Sequence, residues 1–124
     1  MQKSDAADAT TTIDEMKQAA KEFAVRRDWE QFHTPKDLSI GLMIEVAELM
    51  EHFRFKSDDE IVQRLREKRQ DIEHEFGDIM HFLLRLADVM DVDLSAAFFE
   101  KLKEADAKYP ADKVRGINKK YDEY

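Results

Sequence analysis

The chain has 124 residues, 39% of them charged and 43% hydrophobic, with only three glycines and two prolines. That length predicts one domain, and so little glycine and proline favours helices over a turn-rich sheet protein. A net charge of −8 argues against broad, sequence-independent binding to nucleic acid, the lack of cysteine excludes disulfides and thiolate chemistry, and no apolar run reaches the ~18 residues that cross a bilayer.

Residues 1–11 are small and polar and predict a flexible tail. The tail has no apolar stretch of the signal-peptide kind, so a cytoplasmic protein is expected. Thr12-Ile-Asp-Glu15 has the spacing of a capping box, opening a first helix to about Arg27 that buries Ile13, Met16, Ala20, Phe23 and Ala24. Asp28 to His33 is a connector that holds the only tryptophan, Trp29. Thr34 and Pro35 mark the next start, as N-cap and first helical residue, and that helix continues to about Phe53. Ser57 to Glu60 is a second capping box. From there residues 58–90 are helical, as one helix or as two with a short break. Asp93 or Ser95 caps a further helix to about Lys108, which Pro110 stops. Residues 111–124 carry Lys113, Arg115, Lys119, Lys120 and Tyr121, a locally basic tail on an acidic chain. No strand pattern is present, so the expected fold class is all-α, a bundle of four to five helices over residues 12–110.

Two acidic pairs interrupt the most apolar of these helices. Glu45 and Glu48 lie in GLMIEVAELMEHF, and Glu75 and Asp78 lie in IEHEFGDIMHFLLRLADVM. Residues three apart share one helix face, with Cβ atoms roughly 5–6 Å apart. On the second helix the main apolar face is Leu42, Met43, Val46, Leu49, Met50 and Phe53. Glu45 and Glu48 lie beside it, in a strip with Gly41 and His52 that Leu38 and Ile44 flank. On the next long helix Ile72, Phe76, Ile79, Leu83, Leu86 and Met90 form the main face, and Glu75, Asp78 and Phe82 share the neighbouring strip. Solvated surface charge is the usual explanation of any one helical carboxylate. Two matched pairs, with only Arg54 and Arg85 nearby as basic partners, point instead to an oxygen cage for a hard divalent cation.

The histidines fit other metal sites less well. His74-Glu75 begins like a helical zinc motif, but Asp78 stands where the second histidine is required. Asp78 and His81 have the spacing of half a di-iron bundle site, whose other half the chain lacks. The third helical segment is apolar nearly all round, which predicts a homo-oligomer. Trp29 is either a core anchor or a ligand platform. A non-catalytic helical oligomerisation or binding module with acidic grooves is the alternative to an enzyme.

Taken in order, RRDWEQFHTPKDL, EVAELMEHFRFKSD, EFGDIMHFLLRLAD and the tail YPADKVRGINKKYDEY resemble the all-α nucleoside triphosphate pyrophosphohydrolases of the MazG-like superfamily, and most closely the small dCTP pyrophosphatases. The likeness covers residues 12–124. It implies a MazG-like bundle assembling as a dimer of dimers. The implied reaction is hydrolysis of a (deoxy)nucleoside triphosphate, dCTP or a modified dCTP above all, to the monophosphate and pyrophosphate. The implied cofactor is Mg²⁺, with Mn²⁺ as a substitute, held by Glu45, Glu48, Glu75 and Asp78. Glu48 is the expected base for water, Trp29, Phe55 and Phe82 the expected nucleoside contacts, and Arg115, Lys119, Lys120 and Tyr121 the expected contacts from the tail. The resemblance also shows departures. Phe55 replaces a pocket tryptophan, Phe82 a pocket tyrosine, and Ala20 a histidine of the animal enzymes.

Overall fold

The computed structural model describes residues 5–123, whose regular secondary structure is all helical, with no strand among them. Residues 1–4 of the expected N-terminal tail, and Tyr124, lie outside that range. The rest of the tail is not helical, and one turn in it is closed by the Thr10 amide donating to the Ala7 carbonyl at 3.0 Å. Two compact units divide the chain, Met1–Asp91 and Val92–Tyr124.

The first unit contains α1 (Ile13–Arg26), a 3₁₀ turn (Glu30–Phe32), α2 (Pro35–Glu51), α3 (Asp58–Glu67) and α4 (Arg69–Val89). Their starts are set by side chains that satisfy the free amides of a first turn. Thr12 Oγ1 accepts from the Glu15 amide at 3.1 Å while Glu15 reaches back to the Thr12 amide, and Ser57 and Glu60 repeat the arrangement on α3. Thr34 caps α2 with Pro35 in its first turn. Between α3 and α4 the chain leaves helical geometry at Lys68 alone (φ −117°, ψ 28°), so residues 58–90 are two helices.

α4 is the centre of this unit and packs against α1, α2 and α3. Its pairing with α2 is antiparallel, because Gly41 near the start of α2 meets Phe82 while His52 just beyond its end meets Glu75. The core is built from Ala20, Ala24, Leu38, Ile72, Leu84 and Ala87. Three alanines among six let the helix axes come close. Arg85 is the one charged side chain buried with them among the described residues.

Most of the expected faces are covered, Leu42, Val46, Leu49 and Phe53 being half-buried and Ile72, Ile79, Leu83 and Leu86 buried or half-buried, and the structure corrects their edges. On α2, the strip that carries the carboxylates faces α4, with Leu38 buried and Gly41, Glu45 and His52 half-buried. Met43 and Met50, assigned to the main apolar face, are 69% and 62% exposed. Phe76 and Met90 of α4 and Phe23 of α1 are exposed as well. A helical wheel finds apolar arcs, but it does not say which arc the chain's own helices cover.

The second unit holds α5 (Leu94–Lys108) and the four-residue α6 (Ala111–Val114), a turn of helix the sequence did not announce. Asp93 is the N-cap of α5, accepting from the Ala96 amide at 2.9 Å. Phe98, Phe99 and Leu102 of α5 are exposed. Tyr121 of the tail meets the Tyr109 ring edge-on, centroids 6.2 Å apart, with the Lys108 ammonium 5.2 Å from its own centroid. No helix among the described residues is long and apolar enough to cross a membrane.

Candidate metal and nucleotide site

Antiparallel packing of α2 on α4 brings the two acidic pairs together. Glu45, Glu48, Glu75 and Asp78 each offer an oxygen, and these four atoms lie within 4.8 Å of one another. Like charges so close repel strongly away from water. Glu45 and Glu75 are half-buried while Glu48 and Asp78 are exposed, so the cluster has a dry floor and an open rim. On the floor, Glu45 Oε2 and Glu75 Oε2 are shut off from solvent with no hydrogen-bond partner. Buried carboxylate oxygens without partners are unfavourable, and a bound cation removes that penalty.

The titration of Glu45 carries the same message. Its carboxyl is pushed up to about 7 from the usual 4.5, by burial first, then by a hydrogen bond with Glu48 and the charges of Glu48, Asp78 and Glu75. Protonation thus offsets the repulsion in the metal-free protein. The basic residues near this sequence do not: Arg54 bonds Glu51 at 3.0 Å, and Arg85 bonds Asp88 at 2.9 Å. An all-oxygen donor set with buried orphan oxygens fits a hard divalent ion of the Mg²⁺ or Mn²⁺ kind.

Two residues outside the expected ligand set stand behind Glu75. Arg64 Nη2 lies 3.2 Å from His52 Nδ1, and His52 Nε2 lies 3.8 Å from Glu75 Oε1. A guanidinium can only donate, so His52 Nδ1 accepts and the ring proton is directed at Glu75. His52 had been placed on the carboxylate strip, but nothing in the sequence brings Arg64 of α3 to it.

Beside the cage, a groove of about 510 Å³ runs between α1 and α4, lined in part by Met16, Ala20, Phe23, Asp78, His81 and Leu84. His81 stands edge-on to Phe23 at 5.7 Å and to Phe82 at 5.8 Å, centroid to centroid. The four-residue cluster found among the described residues contains only carboxylates and no histidine. Phe82 in turn packs on Gly41, where a Cβ would come within 2.8 Å of Phe82 Cδ1.

Trp29 opens the 3₁₀ turn and is 46% exposed, its ring edge-on to Phe23 at 6.0 Å. The Arg27 guanidinium lies 3.6 Å from the Phe23 centroid and completes an aromatic shelf next to the groove. Phe55 is 91% exposed at positive φ (62°), with Arg54 4.7 Å from its ring centroid. Arg115, Lys119, Lys120 and Tyr121 belong to the second unit.

An acidic cluster on two antiparallel helices, with aromatic rings beside it, is an arrangement that could hold a divalent metal next to a ligand groove. The MazG-like family matches residues 40–124, and the chain belongs to that family of all-α nucleoside triphosphate pyrophosphohydrolases. It is 36% identical to human (Homo sapiens) dCTP pyrophosphatase 1 over 114 residues, covering 90% of this chain and 67% of that protein. It is 37% identical to the mouse (Mus musculus) dCTP pyrophosphatase 1 over 112 residues, 89% of this chain and 66% of that one. The chain thus spans about two thirds of the length of these mammalian relatives. A crystal structure of a pyrophosphatase from Archaeoglobus fulgidus superposes with a TM-score of 0.76 at 33% identity, covering 85% of this chain and 98% of that one.

Proposed function

We propose that this chain hydrolyses a deoxynucleoside triphosphate, dCTP or a modified dCTP first, to the monophosphate and pyrophosphate. In this reading Glu45, Glu48, Glu75 and Asp78 hold Mg²⁺, with Mn²⁺ able to replace it. The observation that carries it is the convergence of four carboxylate oxygens within 4.8 Å, two of the residues having orphaned buried oxygens. The mammalian relatives' activity towards dCTP supports the choice of base.

Bound Mg²⁺ supplies charge neutralisation for the triphosphate and for the departing pyrophosphate. Glu48, on the open rim, orients a water for attack on the α-phosphorus and takes its proton. An oxygen–phosphorus bond forms to that water as the bond to the β-phosphate oxygen breaks, releasing pyrophosphate. Trp29 offers its exposed ring to the base, a stacking contact of about 1–3 kcal/mol where it has been measured in single-strand binders. Phe82 lines the nucleoside side, and Phe55 offers a second ring. Arg115, Lys119 and Lys120 meet the outer phosphates, Tyr121 adds a further substrate contact, and the protein works as a homo-oligomer of the dimer-of-dimers kind. No nucleic acid or membrane partner is needed, and the setting is the cytoplasm.

The deciding experiment is pyrophosphate release from a panel of dNTPs and NTPs, with Mg²⁺ and with EDTA. Metal-dependent release greatest for dCTP is expected. Release from another base would reject the dCTP assignment, and none from any triphosphate would favour the non-catalytic module. Glu48→Ala and Asp78→Ala should each lower kcat/KM on the order of 100-fold while leaving the helical content intact. A loss below about tenfold in both would remove the carboxylates from the chemistry.

A further inference from the structure

The turn that presents Trp29 is held in an unusual way. Upstream, its backbone is tied to α1, the Trp29 amide donating to the Ala24 carbonyl at 3.0 Å. Asp28 sits at positive φ (54°), a conformation an aspartate tolerates better than most residues. Gln31 clamps it, donating to the Asp28 carbonyl and to Asp28 Oδ2, both at 3.0 Å. Downstream, the anchor is a side chain 52 residues away: Arg85 Nε donates to His33 Nδ1 at 3.2 Å. The same guanidinium bonds Asp88 Oδ2 at 2.9 Å and lies 3.8 Å from Glu30 Oε1.

Arg85 is 2% exposed. A guanidinium is an expensive group to bury, and a well-packed apolar side chain at such a place is often neutral or stabilising. What an apolar side chain would not supply is direction. The planar fork fixes where its partners lie, and here they are Glu30 and His33, one on each side of Gln31 and Phe32. Arg85 also lies seven residues beyond Asp78 on the uninterrupted helix α4. Seven residues are two turns, so both are on one helix face, separated by roughly 10 Å along the axis.

We propose that Arg85 is a positioning residue for substrate discrimination: by holding Glu30 and His33 it sets the Trp29 turn at a fixed distance from the carboxylate cage. The inference rests on the reading of Trp29 as the base platform. Arg85 itself need not touch substrate.

Arg85→Lys keeps the charge and loses the fork, and Arg85→Met keeps the stem alone. Each is compared with Trp29→Ala for kcat and KM on the best substrate and on a triphosphate of another base. Trp29 is also the only tryptophan, so acrylamide quenching of its fluorescence reports the turn without any turnover. In Arg85→Lys, KM should rise about tenfold with kcat within about threefold of the parent, and the preference between bases should shrink by a similar factor. Quenching should increase while the Mg²⁺ midpoint holds. If Arg85→Met does not fold, Glu30→Gln and His33→Ala carry the test from the outer ends of the same contacts. Unchanged quenching and unchanged base preference in a folded Arg85→Lys would overturn the proposal. If Trp29→Ala changes the base preference in that same experiment, only Arg85 loses its role. If Trp29→Ala also leaves it unchanged, the reading of Trp29 fails and the proposal with it.

Discussion

Glu45 keeps its proton at a pH where an ordinary glutamate has lost it, because burial and three neighbouring carboxylates both oppose its charge. The consequence for stability has a definite sign. With the folded value raised from 4.5 to about 7, the native state binds more protons than the unfolded chain between those limits. The contribution of Glu45 to the stability of the metal-free protein should therefore fall as pH rises through that window and be lost above it, against the opposite trend from His33 and His81, whose pKa values burial lowers. Thermal unfolding in EDTA across that range checks this, and Glu45→Gln should flatten the slope by removing the titrating group. Saturating Mg²⁺ should restore stability most at the alkaline end, by about 2.7 kcal/mol at a hundred times its dissociation constant. Behind Glu75, His52→Leu should weaken Mg²⁺ binding by roughly 10–100-fold, read from the Tm midpoint of a Mg²⁺ titration. The four carboxylates were legible in the sequence because spacing on a helix is local information. The Arg64–His52–Glu75 chain was not, since it depends on where α3 lies against α2 and α4.

Helices and their starts were equally readable. Thr12, Thr34, Ser57 and Asp93 all cap where the sequence placed caps, and the one ambiguous stretch broke at Lys68. What periodicity did not reveal was that the carboxylate strips of α2 and α4 face each other while Met43, Met50, Phe76 and Met90 stay exposed. Gly41 held the clue, as the residue that lets Phe82 approach α2. At Gly41→Ala, overpacking of about 1–3 kcal/mol competes with about 0.5–1 kcal/mol gained by removing a helical glycine. A net loss of about 1 kcal/mol is expected, and Phe82→Leu in the same background should return most of it. Gly77 on α4 is the counter-case, with nothing within 4 Å of where a Cβ would stand. Gly77→Ala should stabilise the lone chain by about 0.5–1 kcal/mol. A denaturation midpoint that falls instead would place a second chain against that surface.

At the scale of the molecule, the buried set is small and the exposed apolar set is large. Met43, Met50 and Phe76 are each at least 60% exposed in the first unit, and Phe98 and Phe99 in the second. Scattered apolar residues on a surface need no explanation, whereas several on the helices that form the site do. The proposed homo-oligomer gives them a partner. Phe76→Asp separates the cases. On a free monomer surface such a change alters stability by no more than about 0.5 kcal/mol. In an assembly it should lower the solution mass measured by light scattering, and Tm along with it.

The carboxylate cage is built from α2 and α4, whereas Trp29 sits on a six-residue connector, residues 28–33, pinned by side chains. In the proposed function the metal ligands and the Trp29 platform therefore lie on separate stretches of chain, with Phe82 of α4 common to both sides. A connector transplanted from another member of the family, with a matching residue at position 85, should redirect the enzyme to a new nucleotide without rebuilding its catalytic centre.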